Sequence, residues 1–158
     1  MSANLYIDTK EPFIVKKKFH FMDIDYSDLK VEEKSLETGD FLNDYFVVER
    51  KDLDDFVNSF TQKQKRKTKE DYERLKTQTK RLLEMNQPIK AVLIIGNDYD
   101  KLYSNVHIHS INGQVAKLMA LGLSVVWLPD TWDWTDLIYR LTRLTRKYTS
   151  HPDQERLI

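Results

Sequence analysis

Two almost uninterrupted apolar runs, Ala91-Val92-Leu93-Ile94-Ile95 and Val125-Val126-Trp127-Leu128, constrain this chain more than any other feature. A strand with one solvated face alternates apolar and polar residues, whereas a strand that is apolar at every position needs cover on both faces. Helices supply that cover. The patterning predicts them at 52–60, 69–86, 110–121 and 131–148, with Asp52 and Thr131 as N-caps, Gln87-Pro88 ending the second and Gly122 the third. Strands are expected at 4–8, 31–37, 44–50, 90–95 and 124–128. The 158 residues fit one domain with one core, spanning 1–158. The expected fold is α/β: three layers, with a central mixed β-sheet flanked by helices. Residues 12–30, with Lys16-Lys17-Lys18 and Asp23-Ile24-Asp25, fit a short helix or an irregular arm equally well.

The chemistry concentrates in Gly39-Asp40 and in Glu49-Arg50-Lys51, which ends the run Tyr45-Phe46-Val47-Val48. In a strand successive side chains alternate, so Glu49 and Lys51 share one face and Arg50 takes the other. If Gly39 turns the chain so that Asp40 pairs beside this strand, carboxylates and a lysine converge. Carboxylate oxygens are hard ligands suited to Mg²⁺ or Mn²⁺. Lys51 would then offset charge on a phosphate undergoing attack. A plain same-face ion pair and a Gly-Asp turn explain the same residues without chemistry.

This constellation resembles the nuclease domain of the XPF (xeroderma pigmentosum group F) family of structure-specific DNA endonucleases. The matching positions are Gly39-Asp40, Glu49-Arg50-Lys51 and Asp55, preceded by Ile7-Asp8-Thr9-Lys10-Glu11 and followed by Arg74 and Gln78 one helical turn apart. The likeness runs from about residue 4 to 148. It departs at Lys10, where an arginine is usual, and at Gly96, where an acid often stands. The resemblance implies a restriction-endonuclease-like fold, with metal ligands Asp40, Glu49, Asp8 and Glu11. It also implies catalytic roles for Asp40, Glu49, Lys51, Arg50 and Glu11, Asp55 supporting them. Arg50 could equally be a structural partner to a carboxylate, Asp55 could hold Lys51 or Arg50, and Arg74 with Gln78 could be a surface pair. The implied activity is hydrolysis of branched DNA (fork, flap or junction) in repair or recombination. A non-catalytic DNA-binding or scaffold subunit is the alternative. The resembled nucleases pair through this domain, so a homodimer through helices 110–121 and 131–148 is expected. Leu137, Leu141 and Leu144 could instead pack on their own sheet. Helix-hairpin-helix motifs are not expected within the chain, which leaves room for a helper subunit.

Lysine plus arginine equals aspartate plus glutamate, 25 each, yet the charge is segregated. Residues 23–55 are acid-rich, while Lys63, Lys65, Arg66, Lys67, Arg74 and their neighbours crowd one segment. Such a stripe suits phosphate contact as a DNA-facing loop, or is a solvated helix face. Trp127, Trp132 and Trp134 with Tyr139 suggest an aromatic cluster, either core or an interface anchor. No cysteine is present, which excludes disulfides, thiolate zinc and a cysteine nucleophile. The spread of His20, His107, His109 and His151 argues against a histidine metal site. No leader or membrane span is read, so an intracellular protein is expected: cytoplasmic in a prokaryote or virus, nuclear in a eukaryote.

Overall fold

A computed structural model describes residues 3–26, 29–60, 69–96, 108–130 and 133–149. In chain order the elements are β1 (Ala3–Asp8), α1 (Phe13–Asp25), β2 (Leu29–Lys34), β3 (Phe41–Leu42), β4 (Phe46–Asp52), α2 (Leu53–Asn58), α3 (Lys69–Glu84), β5 (Ile89–Ile95), α4 (Ile108–Ala120), β6 (Ser124–Leu128) and α5 (Trp134–Thr149). The strands form one sheet in the order β2-β1-β3-β4-β5-β6. β1 pairs parallel with β2, and β4, β5 and β6 run parallel to one another, while the short β3 is antiparallel to both β1 and β4. The sheet is therefore mixed, as expected.

Alternation along the strands sends side chains to two separate apolar layers. Phe46 and Val48 of β4 and Leu93 and Ile95 of β5 join Val15 and Phe19 of α1 and Ile138 and Tyr139 of α5. Val47, Val92 and Ile94 point the other way, against Leu53, Phe56 and Val57 of α2, Leu82 of α3, and Ile111 and Leu118 of α4. The result is helix, sheet, helix, with β5 enclosed on both faces over Ala91–Ile95. Burial of this apolar surface is the main favourable contribution to folding, at roughly 25 cal/mol per Å².

Several expectations are corrected. Of the two readings open for residues 12–30 the helix holds: α1 runs 13 residues, and its buried face is Val15 and Phe19. Its apolar residues Phe13, Ile14, Phe21 and Ile24 are exposed, and they obscure the helical pattern in the sequence. The two-residue β3 was not anticipated, because so short a strand has no periodicity to read. β6 lies at the sheet edge, so Val125–Leu128 are half-buried rather than enclosed. The aromatic cluster is also divided. Trp127 packs on the α2–α4 side, whereas Trp134 and Tyr139 pack on the α1–α5 side, and Trp132 lies outside the described residues. Asp52 precedes α2 without a side-chain capping bond. α5 starts at Trp134, after Asp133, and Thr131 lies outside the described residues. Finally, α5 packs through Ile138, Tyr139, Thr142 and Thr145, with Leu141 half-buried; Leu137 and Leu144 are exposed.

Gly96 has a structural reason to be glycine. Its φ is +147°, and a Cβ there would lie 2.6 Å from Leu53 Cβ at the start of α2. Only glycine allows β5 to end against α2 at this separation.

Candidate active site

The site is assembled at the ends of β1, β3 and β4. Gly39, at φ +80°, turns the chain into β3. Asp40 is then pinned on both sides, its N–H donating to Val48 O at 2.8 Å and its carbonyl accepting from Asp8 N at 2.9 Å. Its carboxylate Oδ2 accepts from the Arg50 backbone N–H at 2.8 Å. Asp8 ends β1 and accepts from Leu36 N at 3.1 Å, tethering the β2–β3 loop. The following turn, closed by Glu11 N–H to Asp8 O at 3.0 Å, brings Glu11 beside it.

Alternation along β4 sorts the next three residues as the sequence predicts. Arg50 reaches toward the α1–α5 layer, donating through Nε and Nη2 to Glu11 Oε2, each at 3.0 Å, and through Nη1 to Asp52 at 3.1 Å. Its guanidinium lies 5.4 Å from the Trp134 ring centroid. Lys51 reaches toward α3, where Nζ donates to Gln78 Oε1 at 2.9 Å. A cleft of about 770 Å³ is lined by Asp8, Glu11, Asp40, Glu49, Arg50, Lys51, Asp55 and Gln78. The expected catalytic residues, metal ligands and support therefore share one cavity.

Asp55 lies exposed on α2 at the cleft wall, and the holding of Arg50 and Lys51 falls to Glu11, Asp52 and Gln78. Lys63, Lys65, Arg66 and Lys67 lie outside the described residues; Arg74 sits on α3, but its side chain is likewise outside the description. Sequence reasoning missed Asp52 and Trp134 as partners of Arg50, and Arg81 as a lining residue. Arg81 could have been found, since it lies one turn beyond Gln78 on α3. Trp134, 84 positions from Arg50 in the chain, carries no local signal.

Asp8 and Glu11 are almost fully buried, at 4% and 6% exposure. Burial pushes the Glu11 carboxyl up to about 7, Arg50 opposing the shift and the neighbouring Asp40 adding to it. Burial also raises Asp40, against the Arg50 N–H and the Arg50 charge. Crowded beside Asp40, Glu11 therefore holds its proton toward neutral pH.

The raised carboxyl groups test the fit of a metal. Packed carboxylates hold a proton when the local cations do not offset their charge, and a divalent ion would replace it. Among the described residues no three acidic or histidine side chains are gathered as a ready ligand set. Glu11 is turned to Arg50 and Asp40 to the β4 amide. The donor chemistry nevertheless suits a hard divalent cation.

The pKa shift has a measurable consequence. Folded Glu11 keeps its proton to about pH 7, and the unfolded chain only to about 4.5, so the folded state holds the extra proton between these values. Stability from this group is greatest at the acid end of that window and falls as pH rises toward 7. In EDTA, the melting temperature of the wild type relative to Glu11→Gln should therefore decline from pH 5 to pH 7.5. Mn²⁺ should restore more stability at pH 8 than at pH 6. A flat difference would contradict the buried-acid assignment.

A mixed sheet with an acidic cleft at its strand ends defines a restriction-endonuclease-like fold. Comparison agrees. The ERCC4 domain matches residues 7–141, and the chain belongs to the ERCC4 domain family. Among solved structures it is similar to XPF from Aeropyrum pernix, with TM-score 0.72 and 23% identity over 95% of this chain and 64% of that one. It is also similar to XPF from Aeropyrum pernix in complex with DNA, with TM-score 0.65 and 24% identity over 92% of this chain and 66% of that one. A Methanocaldococcus jannaschii protein named as an ATP-dependent RNA helicase is 26% identical over 139 residues, covering 87% of this chain and 15% of that protein. The chain thus spans less than two thirds of the length of these relatives.

Proposed function

We propose that this domain is a divalent-metal-dependent endonuclease that hydrolyses phosphodiester bonds at branched DNA, in repair or recombination. The observation that carries the reading is that Asp8, Glu11, Asp40 and Glu49 line one cleft together with Arg50 and Lys51. The four carboxylates would hold Mg²⁺ or Mn²⁺, which when bound supplies charge neutralisation on the phosphate and activation of the attacking water. Lys51, steadied by Gln78, places an ammonium where negative charge grows during attack. Arg50 fixes Glu11 and, through its backbone N–H, Asp40, so its role is positioning. The basic segment with Lys63, Lys65, Arg66, Lys67 and Arg74 would contact flanking phosphates, giving affinity that falls steeply with salt.

A homodimer through α4 and α5 is part of the proposal. It is supported by exposed Met119 on α4 and by exposed Leu137 and Leu144 on α5. A helper subunit could supply further DNA grip. DNA as substrate, and an intracellular setting, follow from the nuclease reading; among the described residues no helix is long and apolar enough to cross a membrane.

Gln78→Ala should release Lys51 and lower the cleavage rate about tenfold, with little change in melting temperature. Unchanged cleavage kinetics would remove Gln78 from the site. The wider test is cleavage of end-labelled fork, flap, four-way junction and plain duplex DNA, and of matched RNA forks, with Mg²⁺ or Mn²⁺. Metal-dependent cutting confined to branched DNA is expected. No cutting of any DNA by folded protein would contradict the proposal, and equal cutting of RNA forks would move the substrate.

A further inference from the structure

The catalytic cleft opens into a second one of about 740 Å³, and the two share Lys10, Leu36, Glu37, Thr38 and Arg81 as walls. The second cleft adds Ser35 from the β2–β3 loop, and Glu84 and Met85 from the end of α3. Its charge is balanced, Lys10 and Arg81 against Glu37 and Glu84, which is a poor track for a polyanionic backbone. Its other walls combine half-buried Leu36 and Met85 with the hydroxyls of Ser35 and Thr38. Two apolar side chains set among hydroxyls and carboxylates offer faces and edge contacts for a neutral heteroaromatic ring. A methionine sulfur is a favourable neighbour for such a ring, and carboxylates accept hydrogen bonds from the exocyclic amines of bases.

The loop wall is also tied to the chemistry. Leu36 N–H donates to Asp8 Oδ1 at 3.1 Å, so the position of this wall is set by a carboxylate of the catalytic cluster. We infer that the second cleft is a nucleotide subsite that receives an unstacked base next to the scissile phosphate. In this arrangement Leu36 and Met85 flank the ring, and Arg81 with Lys10 meets the phosphate at the junction of the clefts. This rests on the nuclease reading and deepens it: a branch supplies unpaired bases cheaply, whereas intact duplex pays for unstacking.

The test is fluorescence anisotropy with labelled forks in Ca²⁺, each carrying one abasic site at successive positions around the branch. One position should lose about tenfold in affinity when its base is removed, as for a stacked base. Met85→Ala and, separately, Leu36→Ala, each checked by melting temperature, should flatten that position while still binding the fork. Glu84→Gln, on the exposed helix end, gives a third readout by changing which base is preferred there. A flat abasic profile in the wild type, or a position effect that persists in both wall variants, would overturn the subsite while leaving the nuclease reading intact. Failure to bind any fork would overturn both.

Discussion

Glu49→Ala should reduce metal-dependent DNA cleavage by about 10³-fold or more while leaving the melting temperature within a few degrees. Glu49 is half-buried at the cleft, and its strand position is held by pairing in register with Val92 of β5. The core contributions of β4 come from Phe46, Val47 and Val48, which the substitution leaves in place. The loss therefore falls on chemistry and not on the fold. Glu49→Gln, which keeps shape but removes charge, should be nearly as inactive. Single-turnover cleavage with a thermal melt on the same preparations checks both halves. Retention of more than a tenth of the activity would exclude Glu49 as a ligand.

Gly39→Val should destabilise the protein by about 3 kcal/mol and inactivate it together. At φ +80° a β-branched residue is strongly disfavoured, and the added Cβ would lie 2.5 Å from Val47 Cγ2. For a chain of this size that corresponds to a fall of roughly 10 °C in melting temperature. Relief of the clash must move the turn that leads into β3. Asp40 would move with it, since its N–H and carbonyl are fixed by Val48 and Asp8. A melting temperature and activity both near wild type would show that the turn is more adaptable than its geometry implies.

The carboxylate site was legible because its parts obey local rules. Alternation along β4 separates Glu49 and Lys51 from Arg50, and the Gly-Asp pair announces a turn. The apolar run at β5 likewise showed the enclosed strand, and with it the three-layer fold. What could not be read depends on distant contacts. Glu11 and Arg50 are 39 positions apart, and the sequence left Arg50 between a structural and a catalytic role. Trp127 and Trp134 sit close in the chain, yet the sheet separates them. α1 escaped a firm reading because apolar residues occur on its solvent side as well as its buried side. β3 is set by its neighbours on both edges and not by its own two residues.

The most direct test of the central claim is calorimetric titration of Mn²⁺ into the wild type and Asp40→Asn at neutral pH, in buffers of different ionisation heat. Saturable binding is predicted for the wild type, with a buffer-dependent heat as the proton held by Glu11 is displaced, and loss of most of that binding in Asp40→Asn. Equal binding by the two proteins, or none by the wild type, would contradict a metal centre in this cleft.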